Sequence, residues 1–286
     1  MVSSRKRSVR PRCVSLTASS ITTAQAESMM YADTAAGRVE AAPGLEGRCP
    51  SCGGPVRPKC GPIVINHWAH HAREDCDSWA EPMTEWHWQW QQVVPPDRRE
   101  VVMGPHRADI VTVSGGVVEV QHSAISAEVI AEREAFYGER MAWIFDATDA
   151  FTCGRLMVER REAEWDAVTW LNPRRSVEMC KRPVLLDLGD GAVLLLKRRP
   201  DVRAQYGDVV DGWPSTDLRW CRLITRASVE SWLADGRHWE MRRAAAQTRR
   251  SSRNRYMPRH LAPPPAGVAD YDAYLRMIRR ANGRAG

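Results

Sequence analysis

The sequence is poor in lysine, which supplies 4 of its 41 cationic residues, whereas arginine supplies 37. Because the whole chain prefers Arg to Lys, richness in Arg is by itself weak evidence for phosphate binding. Long apolar runs are also missing, and no stretch approaches the roughly 18–20 residues that a membrane-spanning helix needs. The basic segment Met1–Arg12 lacks the apolar centre of a secretory signal. These absences predict a cytoplasmic protein that has no membrane partner.

With 286 residues, of which 43% are hydrophobic and 27% charged, the chain is long enough for one large or two smaller domains with buried cores. Its net charge of +6 is concentrated in residues 237–286, which hold 12 Arg against 3 acids. A basic segment of this kind fits contact with nucleic-acid phosphates. It fits a solvated tail equally well, so the charge allows a DNA partner without establishing one.

Four of the eight cysteines fall within a 28-residue stretch that also holds a His-x-x-His pair. Clustered cysteines in a cytoplasmic chain bind a metal ion more often than they form disulfides. A Cys-x-x-Cys pair in a Gly/Pro turn presents two thiolates to one ion, and a nearby histidine pair can complete a tetrahedron around Zn²⁺. We therefore predict a structural zinc site with the ligands Cys49, Cys52, His67 and His70, and with His71, Cys60 and Cys76 as alternatives for the fourth position. So small and loop-rich a segment can hardly bury a core, so the metal is expected to supply its folding energy.

Two short runs of β-forming residues each place one acid among aliphatic side chains. The acids are Asp109 and Glu119, and strand alternation puts Glu119 on the same face as Gln121. A carboxylate in apolar surroundings is costly unless it is paired or holds a metal. Two carboxylates and an amide at one edge of a sheet predict a hard-cation site for Mg²⁺ or Mn²⁺. The alternative is a structural pair that Arg107 or Arg133 neutralises.

Hydrophobic periodicity predicts the order helix, three strands, helix and strand between residues 78 and 150. Apolar residues recur at steps of four and three from Trp79 to Val93 and predict the first helix. Ser126 can cap the second helix, and Gly138 can end it. The predicted strands of this unit cover residues 100–103, 107–113, 117–121 and 141–145.

With Glu85 on the first helix, Asp109 on the second strand and Glu119-x-Gln121 on the third, this order resembles the PD-(D/E)xK nuclease superfamily. A closer resemblance, over residues 30–146, is to the CoiA-like competence proteins. The motifs that carry it are Cys49-Pro50-x-Cys52, His67-Trp68-Ala69-His70, Glu85-Trp86-His87, Arg107-Ala108-Asp109-Ile110, Glu119-Val120-Gln121-His122-Ser123, Arg133-x-x-x-Tyr137 and Trp143-Ile144-Phe145.

The resemblance implies a Mg²⁺- or Mn²⁺-dependent DNA nuclease that processes DNA in uptake or recombination, with DNA and recombination proteins as partners. Asp109 and Glu119 would then hold the catalytic metal, with Glu85 beside them. Gln121 stands where many superfamily members have Lys, and an amide can hydrogen-bond the attacking water but brings no positive charge. Arg133 or His122 could supply the missing cation. The alternative is a DNA-binding or recombination-mediator protein that keeps the nuclease fold with little hydrolysis.

The predicted fold class is therefore α/β, with a PD-(D/E)xK nuclease-like αβββαβ core between two further parts. The predicted segments are a disordered extension at 1–28, a zinc-binding module at 29–77, the core at 78–150, a β-rich α+β extension at 151–236, and a basic, partly disordered tail at 237–286.

Overall fold

The computed structural model describes residues 28–71, 76–79, 83–159, 166–171, 173–196, 219–236 and 255–256. They form a five-stranded sheet and a ten-stranded sheet with accompanying helices, so the predicted mixed α/β class is confirmed. The disordered extension predicted at 1–28 and the tail predicted at 237–286 lie outside the described residues, apart from residues 28 and 255–256. Within the described residues, no helix has both the length and the apolar character needed to cross a bilayer.

The small sheet is antiparallel and belongs to the Cys/His-rich segment. Its strands are β1 (Tyr31–Thr34), β2 (Gly37–Glu40), β3 (Gly47–Arg48), β4 (Pro55–Lys59) and β5 (His67–His70), in the order β2-β1-β3-β4-β5. Trp68, on the outermost strand β5, is fully buried in a small apolar cluster that includes Met29 and Val56. Gly47 is needed beside it, because a Cβ there would lie 2.9 Å from the Cβ of Ala32. So small a core agrees with a module that needs a metal for stability.

The large sheet holds the other ten strands and is continuous from the predicted core into the predicted C-terminal extension. Its first elements are α1 (Glu85–Gln91), β6 (Arg99–Met103), β7 (His106–Val111), β8 (Val117–Gln121), α2 (Ala127–Tyr137) and β9 (Met141–Asp146). The rest are α3 (Thr148–Thr152), β10 (Leu156–Glu159), β11 (Asp166–Trp170), α4 (Arg175–Met179), β12 (Val184–Asp187), β13 (Ala192–Leu196), β14 (Arg219–Thr225), α5 (Arg226–Asp235) and β15 (Arg255–Tyr256). The strand order is β15-β10-β11-β14-β13-β12-β9-β8-β7-β6, in which β8, β9 and β12 are parallel neighbours.

Strand alternation gives the large sheet two buried faces. On β9, Trp143 and Phe145 pack on the face that α2 and α3 cover, whereas Ile144 packs on the face that α1 and α5 cover. The helix α1 is shorter than predicted, because Thr84 caps it by accepting a hydrogen bond from the backbone N–H of His87 at 3.1 Å. Trp79 lies outside this helix. The strand β8 lies between two helices: Trp90 of α1 packs on one face of the sheet, and Arg133 of α2 contacts Glu119 on the other.

Glu134 on α2 provides a test of how the two halves of the large sheet are joined. Its buried carboxylate accepts hydrogen bonds from Trp143 Nε1 at 3.1 Å, the Lys181 N–H at 2.9 Å and the Arg182 N–H at 3.0 Å. Glu134→Ala leaves these donors without that acceptor and is expected to lower the free energy of unfolding by about 3 kcal/mol, measured by urea denaturation. Glu132→Ala, at an exposed position on the same helix, should change it by less than about 0.5 kcal/mol. Equal denaturation midpoints for the two variants would show that Glu134 does not join the two halves of the large sheet.

Candidate functional site

Three cysteines and one histidine bring their ligand atoms together at the end of the small sheet. The sulfurs of Cys49, Cys52 and Cys76 and a ring nitrogen of His70 all lie within 4.8 Å of one another. Cys49 Sγ lies 3.5 Å from Cys76 Sγ, and Cys52 Sγ lies 3.3 Å from His70 Nε2. Zinc bonds of about 2.3 Å to sulfur and 2.0–2.1 Å to nitrogen place tetrahedral ligands roughly 3.5–3.8 Å apart. The four atoms therefore fit a tetrahedral Cys₃His zinc site.

The turn that carries Cys49 and Cys52 is shaped to present thiolates. Gly53 takes the left-handed conformation, with φ of +71°, and its N–H donates to the Cys49 carbonyl at 2.8 Å. The N–H groups of Ser51 and Gly54 point to the sulfurs of Cys49 and Cys52 at 3.4 and 3.3 Å. Donors of this kind stabilise negative charge on sulfur, as a metal-bound thiolate requires.

The ligand set differs from the sequence-based prediction at one position. His67, which was predicted as a ligand, has its Nδ1 2.9 Å from the carbonyl oxygen of Ile65 and is not part of the cluster. His67 and His70 are three residues apart on strand β5, so their side chains leave opposite faces of the strand. Cys76, one of the alternatives, provides the fourth ligand atom.

The second candidate site lies where β7 and β8 separate. Their backbone pairing ends at Ile110 and Val118. Beyond that point the Asp109 carboxylate accepts from the N–H of Val120 at 2.8 Å, and the Asp109 N–H lies 3.5 Å from Glu119 Oε1. The fork between the strands thus holds the two predicted carboxylates side by side.

Each carboxylate of this pair already has a basic partner. Arg133 Nη1 on α2 donates to Glu119 Oε2 at 2.6 Å, and His87 Nε2 on α1 lies 2.9 Å from Asp109 Oδ1. The side chain of Glu119 is 3% exposed and that of Asp109 is 19% exposed. The structural pairing with Arg133 that the sequence left open is therefore present.

Glu85, predicted to join the carboxylate pair, is not brought to it. Its side chain is exposed and accepts a hydrogen bond from Gln89 Nε2 at 3.0 Å. His87, two residues further along α1, contacts Asp109 instead, because residues two apart lie on nearly opposite sides of a helix. Gln121 is buried close to the pair, with its Nε2 donating to the Ser123 carbonyl at 3.1 Å.

A small cavity of about 20 Å³ adjoins the carboxylate pair, which is room for one water molecule or one ion. Residues from the Cys/His-rich N-terminal segment and from the large-sheet part of the protein both line it. The lining residues are Ser28, Asp77, Trp79, Met83, His87, Glu100, Arg107, Asp109, Glu119, Val120, Gln121 and Arg133. Sequence periodicity gave no sign that the segment around Ser28 would close this cavity, because the contact depends on how the small sheet docks.

Burial and mutual repulsion separate the protonation behaviour of the two acids. Burial, and then the neighbouring Asp109, raise the pKa of Glu119 to about 7, although Arg133 opposes the shift. Burial also acts to raise the pKa of Asp109, but His87 and the N–H of Val120 hold it below its usual value. At neutral pH, Asp109 is therefore ionised, and Glu119 is the acid of the pair that can carry a proton.

Comparison with known proteins identifies a family match in the Cys/His-rich segment. Residues 46–78 match the family model described as the N-terminal domain of competence protein CoiA, and this confirms the resemblance seen in the sequence over that stretch. No curated protein and no solved structure matches the chain. The matched residues include Cys49, Cys52, His70 and Cys76. The part of the chain that holds the Cys₃His cluster is therefore similar to the CoiA N-terminal domain.

Proposed function

We propose that the protein is a competence-related, divalent-metal-dependent hydrolase of DNA phosphodiester bonds. The observation that carries the proposal is the adjacency of Asp109 and Glu119 in the fork between β7 and β8, beside a cavity large enough for an ion. Oxygen ligands of this kind suit Mg²⁺ and Mn²⁺. Further support comes from the similarity of residues 46–78 to a competence protein.

The roles of the surrounding residues follow from their contacts. Asp109 and Glu119 would hold the cation, which would polarise the scissile phosphate and lower the pKa of a water molecule. His87 orients the Asp109 carboxylate from α1. The Gln121 amide can accept a hydrogen bond from a water molecule in the cavity, and Arg133 provides a guanidinium that suits phosphate oxygens.

The role of the Cys₃His cluster in this proposal is structural. Four protein ligands complete the coordination of a zinc ion and leave no position open for substrate. The cluster instead holds together the zinc-binding module; its residue Asp77 and the flanking residues Ser28 and Trp79 line the cavity. The zinc site thereby contributes to the shape of the second site.

A second candidate is a DNA-binding protein that does not hydrolyse DNA. It is favoured by the contact between Arg133 and Glu119, because a guanidinium on Glu119 Oε2 competes with a cation for that oxygen. The neutral Gln121 also provides no charge to stabilise a developing oxyanion.

One assay decides between these candidates. Single-stranded, duplex and branched DNA are incubated with the protein and Mg²⁺, Mn²⁺ or Ca²⁺, and cleavage and binding are measured in parallel. Cleavage with Mg²⁺ or Mn²⁺ supports the hydrolase. Saturable, salt-sensitive binding with no cleavage in any metal supports the second candidate, and the absence of both rejects the two proposals together.

The raised pKa of Glu119 predicts how cation binding depends on pH. A proton on Glu119 excludes the cation, so Mn²⁺ affinity should rise as pH increases and level off above about 7. Below pH 7 the expected slope is about tenfold per pH unit, since one proton competes with one cation. Electron paramagnetic resonance of free Mn²⁺ between pH 5.5 and 8 measures this. Glu119→Gln should bind Mn²⁺ weakly and without that slope; a wild-type affinity that does not vary with pH would contradict the prediction.

A further inference from the structure

We propose that Trp79 is a positioning residue: its backbone carbonyl, held in place by the segment Cys76–Trp79 next to the Cys₃His cluster, fixes the guanidinium of Arg133 against Glu119. Metal binding in the small module would therefore control the geometry of the carboxylate pair. The inference rests on the proposed function only in taking that pair as the reactive centre.

The first link joins the cluster to strand β7. Asp77 directly follows the cluster residue Cys76 and is 4% exposed. Its Oδ1 lies 2.9 Å from His106 Nδ1, and its Oδ2 accepts from the N–H of Arg107 at 2.9 Å. The carboxylate of Asp77 therefore anchors the chain beside Cys76 to the start of the strand that carries Asp109.

The second link fixes Trp79 on this anchor. The N–H of Trp79 donates to Asp77 Oδ1 at 3.0 Å. Its indole ring lies flat on the ring of His106, with centroids 3.2 Å apart and 6° between the planes. One contact is with Asp77 itself, and the other is with His106, which Asp77 also contacts. The backbone of Trp79 therefore has a defined position relative to β7.

The third link runs through one guanidinium. Arg133 Nη2 donates to the carbonyl oxygen of Trp79 at 2.6 Å, and its Nη1 donates to Glu119 Oε2 at 2.6 Å. The planar, rigid fork of a guanidinium transmits the position of one acceptor to the other. Because Trp79 and Glu119 both line the cavity, Arg133 connects the chain next to the cluster to the carboxylate pair.

The expected consequence is that loosening Asp77 frees Arg133 even when zinc stays bound. Asp77→Ala removes the anchor but leaves all four ligand atoms in place. Asp33→Ala is the matched control, since Asp33 is an exposed acid in the same module. Cys76→Ser removes the cluster itself. Arg133→Lys keeps the charge, but a single ammonium cannot reproduce the two-ended fork.

The test uses ¹⁵N NMR of arginine side chains in the full-length, zinc-loaded protein. A guanidinium bonded at both Nη atoms rotates slowly and gives resolved Nη–H signals, and those of Arg133 are assigned by their loss in Arg133→Lys. We expect these signals in the wild type and in Asp33→Ala. In Asp77→Ala they should be lost while elemental analysis still finds one zinc per chain, and in Cys76→Ser the signals and the zinc should both be lost.

Persistence of the Arg133 signals in Asp77→Ala would overturn the inference, because α2 alone would then position the guanidinium. If circular dichroism shows that Asp77→Ala does not fold, Asp77→Asn takes its place; the amide keeps one acceptor, so weakened signals support the inference and unchanged signals overturn it. The outcome is separable from the proposed function. Loss of the signals as expected, together with no DNA cleavage in the wild type, would reject the hydrolase and leave the positioning role standing.

Discussion

Cys76→Ser is expected to remove the zinc ion and to unfold the small sheet, whereas His67→Ala should retain both. Of these two residues, Cys76 contributes a ligand atom to the cluster of four and His67 does not. A serine hydroxyl does not ionise near neutral pH, so it cannot replace the thiolate as a ligand. Because structural zinc contributes on the order of 10 kcal/mol or more to the folding of small modules, the loss exceeds what a core around Trp68 can offset.

Elemental analysis gives the zinc content, and near-ultraviolet circular dichroism reports on the packing of the buried tryptophans, among them Trp68. One zinc per chain is expected in the wild type and in His67→Ala, and essentially none in Cys76→Ser. A strong chelator should reproduce the effect of Cys76→Ser on the wild type. Zinc retained in Cys76→Ser but lost in His67→Ala would restore the Cys₂His₂ set predicted from the sequence.

The two ligand sets show how far spacing alone can identify a metal site. Cys49 and Cys52 were predictable because a Cys-x-x-Cys turn is a local structure with a fixed geometry. Cys60 and Cys76 cannot be ranked by spacing, because which of them reaches the cluster depends on how the chain folds over a longer range than a local turn. Cys60 follows β4 and is exposed, whereas Cys76 returns to lie 3.5 Å from Cys49. The sequence therefore predicts the site but not its complete ligand set.

The carboxylate pair shows the same division between local and long-range information. Asp109 and Glu119 could be predicted together because a tight turn joins their strands and fixes the register. Glu85 and His87 could not be distinguished, since choosing between them requires the rotation of α1 about its axis against the sheet. That rotation is set by distant contacts, such as the bonds from Trp86 and Trp90 to Asp187, each 2.9 Å long.

The contribution of the N-terminal module to the second site lay entirely beyond sequence reasoning. Glu100, on β6, accepts hydrogen bonds from the N–H of Met30 at 2.9 Å and of Tyr31 at 3.4 Å, and it has a positive φ of 44°. A non-glycine residue in that conformation is strained and persists only where its surroundings hold it. Here the docked segment supplies those contacts, so the cavity depends on residues about 70 positions apart in the chain.

Asp109→Asn and Glu119→Gln are each expected to lower the rate of DNA cleavage by at least about 100-fold. Each substitution preserves shape but removes a negative oxygen from the proposed cation site. A bound cation contributes several kcal/mol to transition-state stabilisation, and each 1.36 kcal/mol changes the rate tenfold. Initial rates on the best substrate, at saturating Mg²⁺ or Mn²⁺, measure the effect, with circular dichroism confirming that each variant folds.

Two control variants make this result specific to the pair. Asp97→Asn changes an exposed acid ahead of β6 and should leave the rate within about twofold of the wild type. Glu85→Gln tests the remaining sequence-based ligand. Because Glu85 is exposed and hydrogen-bonded to Gln89, we expect Glu85→Gln to have the same small effect on the rate. Loss of activity in Glu85→Gln would mean that α1 rotates when the cation binds, since the present geometry turns His87 and not Glu85 toward Asp109. Equal rates in the wild type, Asp109→Asn and Glu119→Gln would instead assign the pair a purely structural role, as the partner of Arg133.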